Sequence, residues 1–377
     1  MQELRIKVDT NEKIITLIDD YKVVEKYIET ADESIEGNIY IGVVKNIIPG
    51  IKAAFVDIGQ EKNAFIHFED IYKTNNEIKL NEKILVQVQK DEINQKGAKL
   101  TTNIKLTGRQ IVLLPTTDII TVSRKIENEK VKEKLIEIVA ENLPKGVGAI
   151  IRTTASKATK TEIVDDIQRL VKDWNNIEKK MQNSDEAPVL LGKNNTIIES
   201  VILGTADSGM DKIITDSKEE NKKIEKFLKE FELEDKVKVE YDEKVLDKYK
   251  IKDELEKLNN NKIWLKCGSY IVIDKTEALT SIDVNSGKYT GKENLENTIL
   301  RVNQEATVEI AKQIRLRDMS GIIIIDYIDM ELEENKHRIM KLLEQEVKKD
   351  RAKVQIEGFT RLNLLEMTRK QLYGKSK

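Results

Sequence analysis

The sequence predicts an α/β protein of several subdomains, one of them a small closed β-barrel inserted near the N-terminus. Three observations lead there. The chain has 377 residues, more than a single core usually serves. Residues 35–105 read as short β-branched strands broken by turn signals. From residue 259 onward, apolar strands alternate with long amphipathic helical patterns.

Residues 1–34 hold "LRIKV", a turn at "DTNEK", a second run "IITLIDD", and "YKVVEKYIETADE", which reads as a helix. This hairpin with a helix is too small to fold alone and needs a partner later in the chain. Residues 189–258 supply candidates for it. There "VLLGKN", "TIIESVILG" and "KIITD" read as short strands, and two charged helices are expected over "SKEENKKIEKFLKEFEL" and "EKVLDKYKIKDELEKLNN".

Within 35–105, Phe55 and Phe65 fall in strands beside Lys45, Lys52 and Lys62. Facing outward they would offer single-stranded RNA a stacking platform; facing inward they would be core. The spacing leaves both open. Residues 106–188 mix strands ("GRQIVLLPTT", "TVSRKI", "GVGAIIRTTASKAT") with two amphipathic helices, the second carrying Ile163, Ile167, Leu170 and Val171 on one stripe. "MQNSDEAP" reads as a linker.

Composition narrows the function. No run of uncharged apolar residues approaches a membrane span, and Met1 leads into "QELRIKVDTNEK" rather than a signal sequence. With Cys267 the only cysteine, a cytoplasmic protein without disulfides is expected, and that thiol reads as a buried lone cysteine. His67 and His337 are the only histidines, and neither has a matching nucleophile or orienting acid, so a hydrolase here should rely on metal. Net charge is −3, yet from Lys336 to Lys377 twelve Lys/Arg face five Asp/Glu, a local excess of +7. Such a basic stretch suits a polyanion, and equally a solvated helix face.

The chemistry-bearing pattern lies in 259–377. "ALTSIDVNSGKYTG" and "SGIIIIDYIDM" each carry an aspartate, Asp283 and Asp326, to the end of an apolar run. Between them Leu295, Ile299, Val302, Ala306, Ile310 and Ile314 recur at three- and four-residue steps, the stripe of one helix. Strand, long helix and strand make a crossover unit whose strands run parallel and lie near one another. Ligands of open α/β sheets bind at the carboxyl ends of such strands, where both aspartates fall. Asn285, two residues past Asp283, shares its side. Two carboxylates and an amide oxygen suit Mg²⁺; an aspartate at a strand end can equally cap a helix or pair with a cation.

The segments "SIDVNSGKYTG", "EATVEIAKQIRLRDMSGIIIIDYIDM" and "RLNLLEMTRKQL" closely resemble the catalytic region of the ribonuclease E/G family. "GNIYIGVVKNIIPGIKAAFVDIG" with "KGAKLTTNI" resembles its S1 RNA-binding domain, and "IIRTTASKA" its 5′-end sensor. The resemblance runs collinearly through nearly the whole chain.

It implies an endoribonuclease that cuts single-stranded, often A/U-rich RNA, prefers a 5′-monophosphate, and leaves a 5′-phosphate and a 3′-hydroxyl. It also implies roles in rRNA and tRNA processing and mRNA decay. Asp283 and Asp326 would bind Mg²⁺, for which Mn²⁺ could substitute, and Asn285 would position the scissile phosphate. Phe55, Phe65 and Lys96 would hold RNA. Arg152 and Thr153 would grip the 5′-monophosphate, with Gly108 and Val112 shaping that pocket, Arg124 and Lys125 nearby, and Lys353 where the family often has Arg. The implied architecture is an RNase H-like subdomain (1–34 with 189–258), an S1 barrel of the OB type (35–105), the sensor (106–188) and a DNase I-like catalytic subdomain (259–377).

The family usually continues into a Cys-x-x-Cys zinc link that joins a dimer, and this sequence ends at "RKQLYGKSK". No zinc is therefore expected, and the expected state is a monomer or weak homodimer. A non-cleaving RNA-binding member of the family is the alternative reading. A metal-dependent phosphoesterase for small molecules ranks below both, because it leaves the barrel aromatics and "RTT" unused.

Overall fold

The computed structural model describes residues 1–30, 34–72, 78–92, 96–287 and 295–372. The "KYTG" end of the Asp283 motif and the last five residues lie outside them. The chain forms two compact units, Met1–Ala31 with Gly209–Lys377, and Asp32–Ser208.

Strands β1 (Gln2–Val8), β2 (Glu12–Asp19) and β3 (Lys22–Thr30) form an antiparallel meander. The third was expected to be a helix. Val23 and Tyr27 are four apart and fit a helical stripe, but Val23, Glu25 and Tyr27 bury alternately against β2, which is the period of a strand. An open strand edge and a β-branched run outweighed the helical spacing.

In the other unit, β4 (Ile39–Ile48), β5 (Ala53–Asp57), β6 (Ala64–His67), β7 (Lys83–Lys90) and β8 (Lys99–Thr101) close a five-stranded barrel in the order β4-β5-β6-β8-β7, with β7 returning to β4. Ala54, Val56, Ala64, Ile66, Val86 and Leu100 fill it. Next come β9 (Leu106–Thr107), β10 (Ile111–Leu114), β11 (Ile120–Val122), helix α1 (Glu129–Asn142), β12 (Gly148–Ile151) and helix α2 (Lys160–Asn183). These four strands form one sheet, ordered β11-β12-β10-β9. Ile163, Ile167 and Leu170 of α2 pack on Ile111, Leu113, Ala149 and Ile151. A capping box starts α2, Thr159 and Glu162 satisfying each other's backbone N–H, which contributes about 1 kcal/mol.

Strand β13 (Val189–Gly192) adds to β4 at the edge of the barrel sheet. The following "TIIESVILG", expected as a strand, is helix α3 (Ile197–Thr205). A short apolar run fits either state; the capping box between Thr196 and Glu199 decides for helix.

Back in the first unit, β14 (Met210–Thr215) pairs parallel with β1, helix α4 (Lys218–Glu230) follows, and β15 (Lys238–Tyr241) extends the sheet to β15-β14-β1-β2-β3. The second long helix expected here shrinks to α5 (Ile251–Lys257). Tyr249 and Lys250 adopt φ of 57° and 54° just before it, while Val245, Leu246 and Ile251 bury against Ile18, Val23 and Ile214.

The last sheet holds β16 (Lys262–Trp264), β17 (Tyr270–Lys275), β18 (Leu279–Asn285), β19 (Gly321–Asp326), β20 (Val354–Phe359) and β21 (Leu364–Arg369), ordered β16-β17-β18-β19-β21-β20. Helix α6 (Leu295–Leu316) crosses from β18 to β19, which pair in parallel, and α7 (Glu333–Val347) packs beside it. Val302, Ala306, Ile310 and Ile314 bury on Ile282, Val284, Ile323 and Ile325. Each large side chain so buried is worth about 2 kcal/mol before entropy. Among the described residues no helix is long and apolar enough to cross a membrane.

Candidate active site

The last sheet has one covered face and one open face. Along β18, Thr280, Ile282 and Val284 are buried while Ser281 and Asp283 are exposed; along β19, Ile323 and Ile325 are buried and Asp326 is exposed. Asp283 and Asp326 are paired in register across these neighbouring strands, whose axes lie about 4.8 Å apart. Cross-strand partners project to the same face, so both carboxylates stand side by side on the open face. Asn285 shares it and donates its amide to Asp283 Oδ2 at 2.5 Å.

The Asp326 carboxylate makes no hydrogen bond or ion pair among the described residues. Partial burial, then the Asp283 and Asp329 carboxylates, push it above its ordinary value. The aspartates thus form a concentrated negative site that no cation of the described chain answers. Among the described residues no group of three or more His, Cys, Asp or Glu converges on one point.

Several residues that hold this site escaped the sequence reading. Asn303 of α6, fully buried, donates to Ile328 O at 2.8 Å and accepts from Ile328 N at 3.2 Å. Thr307, one turn on, meets the Tyr327 hydroxyl at 2.9 Å, and burial pushes that phenol well above its ordinary value. Together they fasten the segment leaving Asp326 onto α6. The signal was present as two polar residues four apart within the apolar stripe of that helix. Glu296 fastens the far end of the segment. It accepts from Leu332 N at 3.3 Å, Glu331 N at 3.4 Å and Asn335 Nδ2 at 2.7 Å, so it caps α7 where Leu332 offers no capping side chain.

In the other unit, Phe55 and Phe65 are register partners on β5 and β6. Their neighbours Ala54, Val56, Ala64 and Ile66 fill the barrel, which leaves the two rings half-buried on its outer face. Phe65 also stacks edge-on to His67, with centroids 5.4 Å apart. Lys96 is exposed just before β8. Lys45 and Lys62, named with the aromatics, contact Asp57 and Glu92 at 3.6 Å.

Of the residues expected to form a 5′ sensor, all but one lie in this same unit. Arg152, the residue after β12, donates its guanidinium to Gly108 O, while its backbone N–H reaches Gln110 O at 2.9 Å. Thr153 Oγ1 meets Ser123 Oγ at 2.9 Å, beside exposed Arg124 and Lys125. Val112 is half-buried on β10. The loop leading into that strand is clamped by a residue not singled out in the sequence: Asp166 accepts from the N–H groups of Arg109, Gln110 and Ile111 at 3.1, 2.7 and 3.1 Å. Gly108 has no room for a side chain, since a Cβ would lie 2.5 Å from Asp166 Oδ2. Lys353 is exposed and belongs to the unit that contains Gly209–Lys377, not to that of Arg152.

The profile of the Ribonuclease E/G family matches residues 105–372. The chain belongs to this family. Ribonuclease G of Escherichia coli strain K12 is 36% identical to it over 98% of this chain and 80% of that protein. Ribonuclease G of Haemophilus influenzae is 35% identical over 98% and 79%, and ribonuclease E of Nostoc 32% identical over 95% and 54%. As a ribonuclease E/G member the protein is an endoribonuclease, and its substrate is RNA. Cys267, expected to be buried, is half-buried in this member, with Sγ 2.8 Å from Ser269 Oγ.

Proposed function

We propose that the chain is a Mg²⁺-dependent endoribonuclease that hydrolyses single-stranded A/U-rich RNA, prefers 5′-monophosphorylated ends, and leaves a 5′-phosphate and a 3′-hydroxyl. The observation that carries this reading is the register pairing of Asp283 with Asp326 on the open sheet face, beside Asn285. Two carboxylates and an amide oxygen are hard, oxygen-only donors. Mg²⁺ binds through one or two carboxylates and completes its shell with water and substrate phosphate, so the donor set fits. Mn²⁺ would fit the same donors.

Asp283 and Asp326 would hold the cation. When bound it would lower the pKa of a water and neutralise charge on the scissile phosphate. The chain's own groups do the rest. The Asn285 amide, already hydrogen-bonded to Asp283, has a second N–H to offer a phosphate oxygen. The Asn303 and Thr307 contacts keep the segment after Asp326 from shifting that carboxylate. The half-buried, outward Phe55 and Phe65 support base stacking on the barrel, an S1-type surface, with Lys96 on the RNA backbone.

For the 5′ end, the Arg152 guanidinium is planar and suits a terminal phosphate. The Asp166 clamp fixes the Gly108–Ile111 backbone against which it is set. Val112, Arg124, Lys125 and Thr153, in the same unit as Arg152, complete the proposed sensor. The proposed partition is an RNase H-like subdomain (1–34 with 189–258), an S1 barrel (35–105), the sensor (106–188) and a DNase I-like catalytic subdomain (259–377). Processing of rRNA and tRNA and decay of mRNA in the cytoplasm are the matching roles.

The test is cleavage of one fluorescent single-stranded A/U-rich RNA carrying either a 5′-phosphate or a 5′-hydroxyl, in Mg²⁺ and in EDTA. Mg²⁺-dependent cutting that is faster on the phosphorylated RNA is the expected result. Equal cutting in EDTA would remove the metal from the account.

A further inference from the structure

Beyond the two aspartates, the open face of the last sheet carries an aromatic pair. Trp264 pairs in register with Tyr270, and Tyr270 with Asn285. In the next row Lys262 pairs with Val272, Val272 with Asp283, and Asp283 with Asp326. Register partners share a face, so Lys262, Trp264 and Tyr270 stand on the same side of the sheet as the acidic pair. Trp264 lies two strands from Asn285, about 10 Å at the usual strand spacing.

Trp264 is 59% exposed although it is the largest kind of apolar side chain. Its ring meets that of Tyr270 with centroids 5.1 Å apart at 60°. The Lys262 ammonium lies 4.5 Å from the Trp264 centroid and 3.5 Å from that of Tyr270, and makes no ion pair among the described residues. The turn joining β16 to β17 is anchored: Glu305 of α6 accepts from Lys266 N at 2.5 Å and Cys267 N at 3.3 Å. The rings are thus held in place and open, with a cation that no carboxylate of the described residues neutralises.

We propose that Trp264 and Tyr270, with Lys262, form a base-stacking subsite for a nucleotide flanking the scissile phosphate. The inference rests on the ribonuclease reading of Asp283 and Asp326. Every base presents a π-face, so a fixed exposed indole holds one without choosing its sequence. Lys262, drawn to the rings, is placed to meet the backbone phosphate of the stacked nucleotide. The row from Trp264 through Tyr270 to Asn285 gives the RNA a direct path along the face to the acidic pair.

Trp174 and Trp264 are the only tryptophans in the chain, which makes the test direct. In full-length protein carrying Trp174→Phe and Asp326→Asn, only Trp264 emits and the RNA stays intact. A fluorescein-labelled, 5′-phosphorylated single-stranded A/U RNA is titrated while tryptophan emission and fluorescein anisotropy are read together. The proposal expects Trp264 emission to be quenched along the anisotropy curve. It expects Trp264→Ala to weaken RNA binding roughly tenfold, toward the low end of the loss of one base–aromatic stack. Trp264→Phe should retain most of the affinity, and because the side chain is exposed neither variant should shift the melting temperature.

RNA binding by anisotropy with unquenched Trp264, and an unchanged affinity in Trp264→Ala, would overturn the subsite and leave the ribonuclease reading standing. No RNA binding at all would overturn both. A change in sedimentation without a change in RNA affinity would make the face a contact between chains, and would overturn the subsite.

Discussion

Asp283 and Asp326 face each other across two adjacent parallel strands, and no cation of the described chain stands with them. Like charges this close cost stability unless something external answers them. The sheet nevertheless brings them together, and α6 spends buried polar residues on fastening the segment that follows Asp326. An arrangement that works against the fold and is still held in place is the signature of a site.

The proposed sensor should be separable from the proposed catalytic centre. Arg152→Ala should erase the preference for a 5′-monophosphate while leaving cleavage of 5′-hydroxyl RNA near wild type. Rates on the two RNAs, compared at one concentration, check this; an equal loss on both would remove Arg152 from the sensor.

Gly108→Ala tests the backbone of the same pocket. Its Cβ would lie 2.5 Å from Asp166 Oδ2 and 2.7 Å from Leu170 Cδ1, and Asp166 is itself held by three N–H groups and Arg169. Overpacking of this kind costs about 1–3 kcal/mol. The expected outcome is a lower melting temperature together with a reduced ratio of 5′-phosphate to 5′-hydroxyl cleavage.

Asn303→Ala removes the clamp behind Asp326 and leaves the N–H and C=O of Ile328 without it. Stability should fall by about 2 kcal/mol, the scale of buried polar groups losing their partners. Because the loosened segment carries Asp326, kcat should fall more than KM rises. Denaturant unfolding and steady-state kinetics on one preparation read both.

Glu296 links the site to pH. Its hydrogen bond from Asn335, with help from Leu332 and Glu331 N–H, holds its carboxyl below the ordinary value. A depressed carboxyl stabilises the fold above its unfolded pKa, and the contribution is lost as pH falls through the folded value. The melting-temperature gap between wild type and Glu296→Ala should be widest near neutrality and should close as pH drops below the ordinary glutamate value of about 4.3. A gap independent of pH would assign Glu296 a packing role only.

The crossover that builds the site was legible because its signal is long: the helical stripe from Leu295 to Ile314 and two apolar runs ending in aspartate fix both strands. Short segments were not. Residues 22–30 satisfy a helical and a strand period at once, and the open edge of β2 chooses between them. Residues 197–205 are too short to show a period, and Thr196 with Glu199 was the cue that decided. Positive φ at Tyr249 and Lys250 carried no cue at all, since neither is glycine. Asn303 and Asp166 act through partners 25 and 55–57 residues away, and only the folded chain brings those partners into reach.

The most direct measurement is cleavage and binding by Asp326→Asn on the same RNA. Asp326 is exposed, so the substitution removes one charge and leaves the core untouched. The account predicts that Mg²⁺-dependent cleavage disappears while RNA affinity stays within a few-fold of wild type and the melting temperature does not fall. Cleavage that survives in Asp326→Asn would contradict it, because the acidic pair on the open face of the sheet would then not be the catalytic centre.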